Sequence, residues 1–309
     1  MNRWTAAAIP PLEGRTAVVT GANSGLGFHT ALELARHGAD VVMASRDTGR
    51  GQDALERVRA EVPDVNATVA IVDLADLSSV RSFAAGLLDG GAPIDVLVNN
   101  AGVMALPRRQ TADGFEMQFG TNHLGHFALT GLLLPALLVR PGTRVVTVSS
   151  GVAQAGRIHL DDLQGDHRYW RWGAYAQSKL ANLLFAFELD RRASAAGTGL
   201  ISVAAHPGFA ATNLQAATAR SQGHRLRAHA SALGAQLFGQ PAAAGAWPTL
   251  YAATAPNVHG GDYYGPDGPS SLRGHPTLVT PPHRALDTDL AARLWAESER
   301  LTGVKIDAI

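Results

Sequence analysis

Short apolar runs alternate along the chain with longer stretches in which apolar positions return every three or four residues. "RTAVVTG" (15–21) is β-rich and ends in glycine, and "LGFHTALELARHG" (26–38) then has the spacing of an amphipathic helix. "ADVVMASR" (39–46) is a second strand-like run, followed by a polar helix through about residue 61. "ATVAIVDL" (67–74) and "IDVLVNN" (94–100) repeat the pattern, with "SSVRSFAAGLLDG" as the helix between them, and 142–150 and 199–208 add two more strands. Continuous Val/Ile/Leu runs separated by helices predict parallel strands buried on both faces, joined by helical crossovers. The expected fold is therefore α/β, one doubly wound parallel sheet flanked by helices over residues 1–309, with ligands at the carboxyl ends of the strands. Two stretches break the rhythm. Residues 151–172 read as an insertion before the next helix, and 206–240 as a lid within an Ala/Gly/Pro-rich region that runs to 283, with a helix-like piece near 242–254.

Composition narrows the class. The 309 residues are 46% apolar, and 26 basic side chains balance 26 acidic ones, so no net field draws the protein to nucleic acid. There is no cysteine, which excludes disulfides and thiolate metal sites. The first fifteen residues carry a short apolar patch broken by two prolines, unlike a signal peptide, and the apolar stretch 127–139 is too short to span a bilayer. No membrane span and a cytoplasmic location are expected.

The candidate chemistry starts in "TGANSGLG". Gly21, Gly25 and Gly27, with Asn23, Ser24 and Leu26 between them, lie between the first strand and the first helix. Glycines there permit a tight turn, close approach of backbone to a pyrophosphate and close helix–strand packing, with the phosphate on the helix N-terminus. The second strand ends in "ASRD", where an NAD-binding chain would place a carboxylate for the ribose hydroxyls. Arg46 could instead clamp a 2′-phosphate, which favours NADP(H), or it could be a surface arginine paired with Asp47.

With these features in place the chain resembles the short-chain dehydrogenase/reductase family, in the form Gly21-x-x-x-Gly25-x-Gly27. "VDL", "NNAG", "TNHLGHF", "VTVSS", "YAQSK" and "HPG" follow in the family's order, each beside the expected element. The resemblance implies a Rossmann domain. It places Asp73 and Leu74 near an adenine, Asn100, Ala101 and Gly102 along the adenine-ribose side, and Pro207, Gly208 and Thr212 near the nicotinamide. Tyr175, Lys179, Ser150 and Asn122 would form the catalytic set, with Asn122 supporting a proton relay. Within the family the chain looks most like the retinol-dehydrogenase-like and protochlorophyllide-reductase-like branch, which generally uses NADP(H).

Tyr175 and Lys179 stand at i and i+4, on one helical face. Lys179 and Lys305 are the only lysines, so position 179 is a place where a flexible ammonium is kept in an arginine-rich chain. A free phenol titrates near ~10, and a nearby ammonium stabilises its phenolate. The tyrosine can then act as general acid toward a carbonyl and as general base in reverse, while the ammonium also reaches the cofactor's nicotinamide ribose. Ser150, rather than its neighbour Ser149, would hydrogen-bond the substrate oxygen. The expected substrate is a small-molecule carbonyl or alcohol, made lipophilic by the apolar content of the lid. Two alternatives remain at this point: an NADP(H) sensor without turnover, and a C=C reductase on the same scaffold. His123 and His126 have metal-pair spacing without a third ligand and are expected to pack. Trp170 and Trp172 either wall the pocket or belong to the core. The insertion lies where many relatives pack helices between subunits and would favour a monomer, leaving monomer and homo-oligomer both open.

Overall fold

In the computed structural model, which describes residues 3–209 and 240–309, the apolar runs become one eight-stranded sheet in the order β3-β2-β1-β4-β5-β6-β7-β8. The strands are β1 Thr16–Thr20, β2 Asp40–Ser45, β3 Ala67–Ile71, β4 Val96–Asn99, β5 Arg144–Val148, β6 Ile201–Ala205, β7 Tyr263–Pro266 and β8 Pro276–Leu278. The first seven are parallel and β8 is antiparallel to β7. The order reverses between β1 and β4, so the connections leaving these two strands diverge and open a crevice at their carboxyl ends. Ala17, Val18 and Val19 are buried, as are Leu97, Val98, Val145 and Val146, which is why these strands read as unbroken apolar runs.

The crossover helices are α1 Gly25–Arg36, α2 Thr48–Glu61 and α3 Leu77–Asp89. The next connection is a broken helix: α4 Met117–Phe119 leads through a π turn, Gly120–Leu124, into α5 Gly125–Leu137. α6 Arg171–Ala195 follows β5, and α7 Ala242–Gly245, α8 Trp247–Thr254 and α9 Thr288–Thr302 complete the described helices. Helices on both faces seal the sheet. One layer packs Phe28, Leu34 and Leu250 on it, and the other packs Phe127, Leu133, Phe185 and Trp295.

Three differences from the sequence expectation stand out. The helix carrying Tyr175 starts at Arg171, so the insertion ends at Trp170, and its first residues form a 3-10 turn, Gly151–Ala155. The helical piece near 242–254 is split at Ala246, whose successor Trp247 is followed by a proline at the start of α8. β7 and β8 extend the sheet inside a region that reads as irregular, because strands of four and three residues containing glycine and proline show no period-2 pattern. Most of the expected lid, 210–239, including Thr212, lies outside the described residues.

Candidate active site

The glycine cradle is shaped by backbone that side chains would obstruct. Gly21 (φ +67°) and Gly25 (φ +57°) adopt left-handed conformations. A Cβ on Gly27 would stand 2.4 Å from the Gly21 carbonyl and 2.5 Å from Asn100 Nδ2, so α1 can approach β1 this closely only with glycine. Ser24 is the N-cap of α1 but makes no capping bond, so the first N–H groups of the helix are left for an anion. Asn100 braces the cradle from behind: its Nδ2 donates to the Thr20 carbonyl at 2.7 Å. Its backbone N–H and that of Ala101 both donate to Thr20 Oγ1, at 2.9 and 3.0 Å. These residues fit a pyrophosphate-bearing dinucleotide, with Asn23 and Leu26 half-buried in the same loop. We expect Gly27→Ala to lower dinucleotide affinity by at least about tenfold, because its new methyl must displace backbone. Unchanged affinity in a fluorescence titration would show that the cradle is not used.

After β3, Asp73 Oδ1 accepts from the Ala75 N–H, which pins the turn there. Gly125 lets α5 press on that turn, since a Cβ there would lie 2.4 Å from the Leu74 carbonyl. Arg46 is exposed at the end of β2 and makes no hydrogen bond or ion pair with any described residue. Asp47, the other candidate partner, instead caps α2 by accepting from the Arg50 N–H at 2.9 Å.

The catalytic candidates converge at the carboxyl ends of β4 and β5. Asn122 sits in the π turn, fully buried, and its side chain pairs twice with Val103: Oδ1 accepts from the N–H at 2.7 Å and Nδ2 donates to the carbonyl at 2.9 Å. Nδ2 also donates to Ser178 Oγ at 2.9 Å, so both its protons are used within the protein. A relay role for Asn122 therefore falls to its backbone carbonyl. His126 Nδ1 donates to that carbonyl at 3.0 Å, leaving Nε2 to accept from Thr20 Oγ1 at 2.9 Å. Burial pushes His126 down to about 4, opposed by the bond to the Asn122 carbonyl, so it is neutral and serves as a brace. His123, pushed down to about 3 by burial, faces Ser298 at 2.9 Å, and no metal cluster occurs among the described residues.

Ser149 and Ser150 have different tasks. Ser149 is buried, and its hydroxyl donates to the Lys179 carbonyl at 2.7 Å, tying β5 to α6. Ser150 is half-buried at the start of the 3-10 turn, its Oγ accepts from the Val152 N–H at 3.3 Å, and its hydroxyl lies near enough to the Tyr175 phenol to influence it. Burial pushes Tyr175 up to about 12, while the bond from Ser150 acts in the opposite direction. Lys179 Nζ lies 6.0 Å from the Tyr175 ring centroid and donates to the Val148 carbonyl at 3.0 Å. Burial pushes it down to about 8. Here the phenol is governed by desolvation, and the ammonium is bonded to a backbone carbonyl instead of to it. Gly102 leaves space between Asn122 and Lys179: a Cβ there would stand 3.0 Å from Asn122 Oδ1 and 3.6 Å from Lys179 Nζ.

The insertion is anchored to the start of the broken helix. Tyr169 donates to the Leu106 carbonyl at 2.8 Å and accepts from Gln118 Nε2 at 3.0 Å, while Gln164 Oε1 accepts from the Glu116 N–H. Trp170 and Trp172 are not core: they are 68% and 39% exposed, and Trp172 sets its edge on Tyr175. After β6, Gly208 (φ +64°) brings its backbone against the Leu272 carbonyl, and Gln240 Nε2 donates to the Pro207 carbonyl at 2.8 Å. The structure brings Asn122, Gly102 and Lys179 beside one another and Gly21 and Gly27 beside Asn100 and Ala101, while Arg46 stands exposed at the end of β2. It adds Thr20, Ser178 and Asn182, whose roles depend on partners 34 to 106 positions away and left no local signal.

The pattern described as short chain dehydrogenase matches residues 15–223. Polyprenol dehydrogenase from Mus musculus is 45% identical over 299 residues, covering 96% of this chain and 86% of that protein. Retinol dehydrogenase 13 from Homo sapiens is 40% identical over 309 residues, covering 96% and 87%. A crystal structure of an uncharacterized protein from Mycobacterium Paratuberculosis shares 48% identity with a TM-score of 0.80, over 99% of both chains. A short chain dehydrogenase from Shigella flexneri complexed with NADP is 25% identical with a TM-score of 0.56, over 74% of this chain and 93% of that one. No described helix is long and apolar enough to cross a membrane. With the glycine cradle, the Ser/Tyr/Lys set and these likenesses together, this chain is an oxidoreductase belonging to the short chain dehydrogenase family, in its retinol-dehydrogenase-like branch.

Proposed function

We propose that the protein uses NADP(H) to interconvert a carbonyl and an alcohol on a lipophilic small molecule. The observation that carries this is the placing of Ser150 and Tyr175 at the end of β5, together with a cradle at the end of β1 where Gly27 has no room for a side chain. The bound cofactor supplies or takes up the hydride. Ser150 holds the substrate oxygen and Tyr175 gives it a proton in reduction or withdraws one in oxidation. Lys179 steadies the phenolate and holds the nicotinamide ribose, and the Asn122 carbonyl, braced by His126, would hold a water that passes the proton onward. Gly21, Asn23, Ser24, Gly25, Leu26 and Gly27 hold the pyrophosphate. Asp73, Leu74, Asn100, Ala101 and Gly102 line the adenosine side, and Pro207, Gly208 and Thr212 the nicotinamide side. A sensor would have no use for a proton donor held by a second hydroxyl, which favours turnover.

The free guanidinium of Arg46 supports NADP(H), because Asp47 is already committed to α2. Arg46→Asp should weaken NADPH binding by about 10–100-fold and leave NADH binding within about twofold, since only the former has a phosphate for the arginine to clamp. Equal losses for both cofactors, measured by fluorescence titration, would remove Arg46 from the specificity argument.

The lipophilic substrate is supported by the exposed apolar groups Trp170 and Trp172 at the start of α6, Phe209 after β6 and Leu272 after β7. It also agrees with the polyprenol and retinol dehydrogenases among the relatives. The direct test follows NADPH oxidation with long-chain isoprenoid and aryl aldehydes and ketones beside sugar aldehydes and enones. Preference for the sugars would overturn the lipophilic assignment, and turnover of enones alone would move the chemistry to C=C reduction.

A further inference from the structure

Lys179 shares its acceptor. The Val148 carbonyl, at the end of β5, receives Lys179 Nζ at 3.0 Å and Asn182 Nδ2 at 3.1 Å. All three residues are buried, with Lys179 4% and Asn182 1% exposed. A carbonyl oxygen has two lone pairs, so each donor takes one. Asn182 lies three positions after Lys179 on α6 and therefore approaches the same carbonyl from the next turn.

We propose that Asn182 is a positioning residue that frees Lys179 for the cofactor: by keeping the Val148 carbonyl hydrogen-bonded, it lets the lysine leave that carbonyl for the ribose hydroxyls. The physical reason is the asymmetry of buried hydrogen bonds. Exchanging one partner for another is nearly neutral, whereas abandoning a buried carbonyl incurs its full desolvation cost. Without Asn182, the ammonium would be the only side-chain donor to Val148 O among the described residues, and its departure would orphan that oxygen between β5 and α6. With Asn182, the carbonyl is satisfied before and after the move. The lysine's resting place is then a weak holding site rather than a trap. This inference rests on the assignment of Lys179 to the cofactor's ribose made above.

The test is a double-mutant cycle on cofactor affinity, measured by direct NADPH titration of the whole chain without substrate. In the wild-type background, Asn182→Leu should weaken NADPH binding about tenfold, because release of Lys179 now strands a buried carbonyl. In the Lys179→Met background the same substitution should change NADPH affinity by less than about twofold, since the carbonyl then has the same partners in free and bound protein. Asn182→Ala provides the second variant should leucine fail to fold, and thermal melts report whether each protein is folded.

Equal losses in the two backgrounds, or no loss in either, would overturn the proposal and leave Asn182 as an ordinary packing residue. The cycle also separates the two assignments. Lys179→Met binding NADPH as tightly as wild type would sink the ribose role of Lys179 together with this inference. A loss in Lys179→Met without coupling to position 182 would sink the Asn182 role alone.

Discussion

Replacing Tyr175 with phenylalanine should lower turnover by about 10²–10⁴-fold while leaving NADPH affinity within about twofold. The size follows from the loss of the single group placed to move a proton to or from the substrate oxygen. The cofactor term stays small because the ring remains: it packs under the edge of Trp172, and only the hydroxyl beside Ser150 is removed. The pH dependence has a definite sign. Burial pushes the phenol up to about 12, so at neutral pH it carries its proton and is ready for carbonyl reduction. Reduction should therefore stay level through neutrality and decline only as the phenol ionises, whereas alcohol oxidation should quicken as pH rises toward that range. Steady-state rates in both directions across pH check this. A Tyr175→Phe enzyme that keeps a tenth of wild-type turnover would mean that another group, or water, supplies the proton.

Lys179→Met should remove about 10²-fold or more of turnover and at the same time make the protein more resistant to heat at pH 7. The two effects share one cause. The ammonium is buried and bonded to a neutral carbonyl, and burial pushes it down to about 8 from an ordinary 10.5. Between those values the unfolded chain holds a proton that the folded chain has shed, so wild-type stability rises with pH across this window. Below about 8 the full cost of burying the charge is present. Methionine avoids that cost and leaves Val148 O bonded to Asn182, so the mutant's advantage in melting temperature should be largest below pH 8 and shrink toward 10.5. Wild-type NADPH affinity should fall as pH rises through the same region, with no such fall in the mutant. A mutant that melts lower than wild type at pH 7 would show that the lysine is compensated by contacts other than those seen.

These expectations depend on features of different legibility. The strands from β1 to β6 could be read directly, because their Val/Ile/Ala-rich runs, buried on both faces in the centre of the sheet and partly exposed in the edge strand β3, alternate with helices that keep a 3.6-residue period. β7 and β8 could not, being short, rich in glycine and proline, and held by their pairing with β6 and with each other. The glycine cradle was legible because the residue type is itself the structural requirement: at Gly27 no side chain fits. Tyr175 and Lys179 were legible because a helix sets their spacing. The direction of the ammonium was not, since the Val148 carbonyl lies 31 positions away and local spacing favours the phenol as its neighbour.

The same division separates the two serines, the Arg46–Asp47 pair after β2 and the asparagine. Sequence placed Ser149 and Ser150 together after a strand, but only the packing of α6 against the end of β5 sent one to Lys179 O and the other toward Tyr175. Sequence set Arg46 beside Asp47, and the start of α2 claimed the carboxylate for its cap, releasing the guanidinium. Asn122 was visible as a motif residue, yet the π turn and Val103 decided that its side chain is spent and its carbonyl is what His126 braces. The sequence by itself determined the fold class, the order of its elements and which residue types meet at the carboxyl edge of the sheet, because periodicity and glycine are local constraints. Tertiary structure alone decided which hydrogen bond each buried polar group makes, because that choice depends on partners brought together from distant strands, and a buried donor or acceptor must take whichever partner the packing provides.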